Sequence, residues 1–299
     1  MSEFYLTNEY WFAVIQLVLA MLGMGATLTF KDFREVLIEP KAVTVGCLAQ
    51  LLLIPLVAYL FVLTFGMTGG VAIGVALIAA IPGGTSSNVF TYLARGNIAL
   101  SICITGITTL LCLVSTPFFL DLTAGHLMPE NFVMPTATIV TEIALTLLLP
   151  LLIGMLILNF APKYAPLVAK FGIRGTLLFL LFIVIGSLSA GRLSLDAFGW
   201  TNVGLIVLLM AVFLLSGLLA SKVFGLPRAD GVAMECEIVV RNVNLGILIK
   251  ASLFPAVIGQ ADAVGDMVLF TLLLYGGVQM LFAGGMIAVN RRFNKTAQL

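Results

Sequence analysis

Nine apolar stretches dominate this chain, each close to the roughly 20 residues that an α-helix needs to cross a bilayer. They fall near 10–30, 42–65, 71–95, 98–120, 135–158, 175–191, 203–223, 230–254 and 266–289. In lipid a backbone must satisfy its own polar groups, so stretches of this kind become helices. Composition agrees: 61% of the 299 residues are hydrophobic and 10% charged, against about 25% charged in a soluble domain. The expected fold is an all-α polytopic membrane protein in one domain, 1–299, with the lipid bilayer as its surroundings. A net charge of +1 gives no electrostatic reason for a nucleic-acid partner, and no obligatory protein partner is evident. Met1 to Asn8 lacks the positive start of a cleavable signal, so the first stretch is expected to stay in the membrane.

Two of the nine stretches are interrupted. The third reads Ile-Pro-Gly-Gly-Thr-Ser-Ser-Asn-Val from Ile81 to Val89, a helix break followed by four polar side chains. The eighth reads Met-Glu-Cys-Glu-Ile-Val-Val-Arg-Asn-Val-Asn from Met234 to Asn244. Polar breaks inside a bilayer persist where they line a cavity or bind something. Paired breaks at matching places in two halves point to a transporter's binding site. The two stretches lie five apart, and an odd offset inverts the second copy. Spans one to four and six to nine therefore read as an inverted-topology repeat, with span five unpaired.

Basic residues set the expected orientation. Lys31, Arg34, Lys41, Arg95, Lys163, Lys170, Arg174, Lys222, Arg228, Arg291, Arg292 and Lys295 fall on one side, Arg192 and Lys250 on the other, and Arg241 within a span. This puts the N-terminus outside and the C-terminus in the cytoplasm, in a cell inner (plasma) membrane.

The residues at the breaks suggest chemistry. Thr85, Ser86, Ser87 and Asn88 are good helix caps, and a restarted half-helix aims a positive dipole end into the membrane, which suits an anion. Unwound carbonyls suit a hard cation. The alternative is a packing kink with hydroxyls bonded back to the backbone. Glu237 and Arg241 are spaced for a helical ion pair if the helix continues through them. Glu235 and Glu237, two apart, point in different directions on a helix. Gln50 is a lone amide beside Pro55, Ser101 and Thr105 are one turn apart and in reach of the first break, and Glu142 is an isolated acid. Gly23, Gly25, Gly284 and Gly285 are expected to permit close helix packing. Cys47, Cys103, Cys112 and Cys236 lack metal-like spacing and read as small buried hydrophobes. His126 is the only histidine, which leaves no basis for a His-based triad or metal site.

The block from Met24 to Phe33, with Gln50, Pro55, the run from Pro82 to Asn97, and Thr116-Pro117, resembles the bile acid:sodium symporter family, in a bacterial-type, nine-span form. Similarity resumes at Glu237 and Asn242. The resemblance implies two discontinuous helices crossing in a core domain (42–120 and 203–290) that moves against a panel domain (10–30 and 135–191). It implies a sodium site at Ser87, Asn88, Ser101, Thr105 and Glu237, and an organic anion between the domains. A second family sodium site would use Gln50, Glu237, carbonyls around Val240 and a glutamine where this chain has Arg241. That departure predicts one sodium, with Arg241 standing in for the second. Thr85 and Asn242, at the crossing, are the expected substrate contacts. Span nine reads Leu-Tyr-Gly-Gly-Val-Gln from Leu274 to Gln279 where many relatives have a His-Asn pair, so substrate preference is expected to differ.

The function expected is a secondary active transporter, not an enzyme, coupling sodium (Na+) to a bile-acid-like, small carboxylate or sulfated organic anion by alternating access. Proton-coupled or uncoupled transport through Glu237 or Glu142 is the alternative. An intramembrane hydrolase using Glu235 and Glu237 is a remote one, since no nucleophile–base pair accompanies them.

Overall fold

A computed structural model describes residues 2–29, 40–84, 86–127, 133–260 and 262–296, the side chains of His126 and of 292–296 excepted. Thr85, expected at the substrate site, lies outside the described residues, as do Lys31 and Arg34 of the charge count. The described residues are helical, with no strand beyond one isolated bridge.

In chain order the helices are α1 (Ser2–Gly25), α2 (Pro40–Leu48), α3 (Ile54–Thr64), α4 (Gly69–Ala80), α5 (Ser86–Leu93), α6 (Ile98–Ala124) and α7 (Thr136–Glu142). They continue with α8 (Leu149–Phe160), α9 (Ala165–Ser189), the single turn α10 (Leu195–Phe198), α11 (Trp200–Val223), α12 (Arg228–Val239), α13 (Val243–Leu253) and α14 (Ala263–Thr296). Helices α2 and α3 run into each other through a π turn, Ala49–Leu53, and α7 and α8 through another, Ile143–Leu148. Pro55 and Pro150 follow these turns. A proline ring clashes with the carbonyl four residues back, and the wider π turn relieves that clash without ending the helix.

Seven helices, counting each π-joined pair once, are long and apolar enough to cross a membrane. The third and eighth stretches form pairs of shorter helices, α4 with α5 and α12 with α13, so a count of nine spans depends on taking each broken pair as one crossing. Most boundaries agree with the sequence to within a few residues. Three do not, one being α14, which runs on to Thr296 past the expected end at 289. The stretch expected at 175–191 begins at Ala165, because Lys170 and Arg174 ride on the exposed face of α9, where long cationic side chains lay their stems along apolar surface. Likewise α1 begins at Ser2 rather than near residue 10, carrying Glu3 and Glu9 within the helix.

Large apolar side chains such as Leu56, Leu60, Val114, Phe118, Phe171 and Leu281 face outward, the surface a lipid solvent demands. Polar side chains, including Gln50, Ser87, Ser101, Thr105, Glu237, Arg241 and Lys250, are buried. The helices pack as two groups. One is α1 with α7, α8 and α9; the other is α2 to α6 with α11 to α14; the principal contact between them is α1 against α13.

Glycine makes the first group tight. A Cβ on Gly172 would sit 2.7 Å from the Gly23 Cα, and one on Gly154 would sit 2.7 Å from the Ala26 nitrogen beside Gly25. Gly284 and Gly285 do not play the expected part: a Cβ on either meets nothing within 4 Å, since both lie on an open stretch of α14.

Candidate functional site

The two breaks meet. Gly84 N–H donates to the Val240 carbonyl at 2.7 Å and Asn242 N–H to the Pro82 carbonyl at 3.0 Å. These two bonds flank an antiparallel bridge between Gly83 and Arg241. Backbone groups freed by unwinding are thus satisfied by each other, the condition for irregular backbone at membrane depth. The approach is close enough to require glycine. A Cβ on Gly84 would lie 2.8 Å from the Arg241 carbonyl oxygen, and one on Gly83 would collide with Glu237 Oε2.

Around this crossing an oxygen cluster forms on Glu237, which is fully buried on α12. Its Oε1 accepts from Ser87 Oγ at 2.5 Å, Ser101 Oγ at 2.6 Å and Thr105 Oγ1 at 2.7 Å. Asn88 Oδ1 lies 2.7 Å from Ser101 Oγ and 3.5 Å from Thr105 Oγ1. Ser87 comes from the restarted helix α5, and Ser101 and Thr105 from one face of α6. Asn97 starts α6 by accepting from Leu100 N–H at 3.1 Å, and donates to Asp230 Oδ1 on α12 at 2.9 Å. That cap locks α6 to the helix that carries Glu237.

Each hydroxyl has one proton, so Ser101 cannot donate to Glu237 and Asn88 together. The cluster gathers more oxygen lone pairs than hydroxyl protons around one carboxylate: the donor set that suits a hard monovalent cation. Among the described residues no group of three or more His, Cys, Asp and Glu gathers, so the set is unlike that of a zinc-type centre. The five residues of the expected sodium site are therefore brought together.

Glu237 and Arg241 do not form the helical ion pair that their spacing allows. Helix α12 ends at Val239, which carries Arg241 onto the other side of the crossing. Gln50 stands between the two: its Nε2 donates to Glu237 Oε2 at 2.9 Å, while its Oε1 accepts from Gly83 N–H at 2.8 Å and from Arg241 Nη1 at 3.4 Å. The Arg241 guanidinium donates to the carbonyls of Ile78 at 3.2 Å and Ala79 at 2.9 Å, and to that of Ile81. Those are the last carbonyls of α4, where the helix dipole favours a cation.

Asn242 is buried and caps α13, its Oδ1 accepting from Leu245 N–H at 3.4 Å. Glu235 diverges from Glu237 as expected and pairs with Arg228, which also reaches Asn290. All four cysteines are buried thiols outside any disulfide.

Two bracing residues escape a sequence reading. Tyr275 and Gln279, one turn apart on α14, hold the unwound stretch: Tyr275 donates to the Val239 carbonyl at 2.8 Å, and Gln279 Oε1 accepts from Arg241 N–H at 3.0 Å. Their four-residue spacing on a helix facing the break was the available signal. Lys250 was placed among the loop charges, yet it is fully buried in α13 and bonded to Glu9 at 2.9 Å. Its apolar neighbours hid nothing; the partner 241 residues away did.

A family model described as the Sodium Bile acid symporter family matches residues 14–195. The chain is similar to an uncharacterized sodium-dependent transporter, YocS, of Bacillus subtilis, with 31% identity over 260 residues, 85% of this chain and 78% of that one. It is similar to the probable chloroplastic sodium/metabolite cotransporter BASS2 of Oryza sativa subsp. japonica, with 32% identity over 78% of this chain and 55% of the plant protein. It also resembles the human ileal sodium/bile acid cotransporter, with 29% identity over 90% of this chain and 75% of that one.

Proposed function

The chain belongs to the sodium bile acid symporter family, and from that premise we propose that it is a secondary active transporter coupling sodium to an organic anion by alternating access. The observation that carries the reading is the cluster on Glu237: Ser87, Asn88, Ser101 and Thr105 bring oxygens from two further helices to one buried carboxylate at a helix break. A sodium ion entering there takes over the lone pairs that the hydroxyl protons cannot serve, and joins α5, α6 and α12 into one unit. The group containing α1, α7, α8 and α9 acts as the panel, and the group of α2 to α6 with α11 to α14 as the core.

The anion binds beside the crossing, where α5 and α13 both begin, at Thr85 and Asn242. Two half-helix N-termini favour negative charge by about 0.3–2 kcal/mol each, and the Asn242 amide adds a donor. Bile-acid-like compounds, small carboxylates and sulfated compounds all fit that recognition. The chain lies in the plasma membrane, with the basic ends of its helices in the cytoplasm.

Transport carries one sodium per anion. The Arg241 guanidinium occupies the α4 carbonyls and the Gln50 oxygen that would otherwise be free for a second ion. It is a permanent charge that is never released, so it adds nothing to the driving force. Each sodium not carried forgoes about 2.3 kcal/mol per 100 mV of membrane potential.

The test is thermal stabilisation of the purified protein by sodium relative to potassium, with a panel of organic anions. Sodium is expected to raise the melting temperature, since a ligand of the native state stabilises it by mass action. Glu237→Ala and Asn88→Ala should each abolish that rise, whereas Asn242→Leu should weaken the anion effect and leave the sodium effect intact. Normal sodium titrations in both Glu237→Ala and Asn88→Ala would refute the site. Stabilisation by acid pH in place of sodium would favour proton coupling through Glu237.

A further inference from the structure

The two helix groups are tied at one end by polar contacts that the sodium and anion sites do not use. Glu9 of α1 pairs with Lys250 of α13 at 2.9 Å. The same Glu9 oxygen pairs with Arg192, just beyond α9, at 2.8 Å, and Arg192 in turn pairs with Asp266 of α14. Glu142 of α7 accepts from Ser252 of α13 at 2.6 Å. Glu9–Lys250, Arg192–Asp266 and Glu142–Ser252 join the first group to the end of α13 or the start of α14, and Glu9–Arg192 links the first two of these through α1. At the opposite end Arg228–Glu235–Asn290 and Asn97–Asp230 join helices of the second group to one another.

The tied seam is incompletely satisfied. Among the described residues, Glu9 Oε2, Arg192 Nη2 and both polar atoms of Gln16 are buried without a partner. Glu9, Ala13 and Gln16, spaced by four and three residues, share one face of α1, and the Glu9–Lys250 pair directs that face to α13. Gln16 lies about 10 Å further along α1 than Glu9, so the seam runs from the helix ends into the membrane interior.

A seam meant to stay shut is served as well or better by apolar side chains, because buried ion pairs lose in desolvation what they gain in attraction. A seam that must open repeatedly has the opposite need. Its charges are hydrated when it parts, and its unpartnered atoms find water, so opening recovers part of what closing gave up. An apolar seam would expose grease to water at every turnover.

We propose that Glu9, Arg192, Lys250, Asp266, Glu142 and Ser252 form a gate that seals one end of the path between the two helix groups and opens to water there. The charge distribution puts this end outside the cell. The proposal rests on the panel-and-core reading above, and accessibility tests it without any substrate.

Gln16→Cys is introduced into the chain, whose four native cysteines are buried and report the background. It is then labelled with a membrane-impermeant, charged thiol reagent added from one side or the other. Labelling is expected to be slow and from the outer side. Lys250→Met, which leaves Glu9 short of a partner, should raise the rate about tenfold. The double change Glu9→Gln with Lys250→Met should return it to the slow rate, because no unpaired charge remains to be hydrated. If Lys250→Met fails to fold, Ser252→Ala decides: it removes one hydrogen bond and should raise the rate about threefold. Rates unchanged in the folded variants, or equal labelling from both sides, would overturn the gate. Sodium stabilisation is read separately on the same protein, so its absence would count against the symport reading and not against the gate.

Discussion

On the proposed reading, Arg241 is the residue that sets the ion stoichiometry. The ion pairs of the described residues do not include it; its charge is met instead by carbonyls at the end of α4. Arg241→Leu would strip those carbonyls of donors, and a buried acceptor left unsatisfied costs about 1–3 kcal/mol, read as a fall in melting temperature. Arg241→Gln is the informative change, because a shorter neutral amide returns an oxygen to the crossing. The parent is expected to titrate sodium with a Hill coefficient near one, and Arg241→Gln with a coefficient above one. Two bound sodium ions in the parent protein would refute the tethered-cation account. The sequence displayed Arg241 and Glu237 plainly, but suggested that they pair. Only where α12 stops decides that they do not.

At the scale of the elements, the crossing of α4–α5 with α12–α13 depends on backbone contact, and hence on the absence of side chains at Gly83 and Gly84. Gly83→Ala places a methyl against Glu237 Oε2 and 2.9 Å from Gln50 Nε2. The expected outcome is a helical, membrane-inserted protein by circular dichroism that has lost its sodium-dependent stabilisation. A normal sodium titration in Gly83→Ala would show that the crossing does not position the site. The breaks were legible because Pro82-Gly83-Gly84 and the charged run around Glu237 are costly in lipid. The π turns were not. Gln50 beside Pro55 was visible, but nothing local says that the helix would absorb its proline by widening rather than kinking.

The described residues turn large apolar side chains outward and bury a set of polar ones within an apolar interior, and the proposed orientation rests on charge alone. A reporter fused after Leu299 is expected on the cytoplasmic side and one fused before Met1 on the outer side, as read by protease protection. The reverse arrangement would also invert the assignment of the gate. The two helix groups meet chiefly where α1 faces α13, and that contact is polar at one end. On the panel-and-core reading, this suits an interface that separates during each cycle, and the glycine-lined packing of α1 on α8 and α9 suits a unit that moves as one.

The sequence by itself determined the solvent, the helices and the two breaks, because each follows from local cost: charge or proline in a bilayer is penalised wherever it stands. The residues gathered on Glu237 were named through the family resemblance, not by local cost. Tertiary structure alone decided the partnerships. Lys250 with Glu9, Glu142 with Ser252, Arg241 with the end of α4, and Tyr275 and Gln279 with the unwound strand are contacts between segments far apart in the chain. Their physical basis is the need to satisfy a buried polar group. Many residues can meet that need, and only the packing of helices selects which one does.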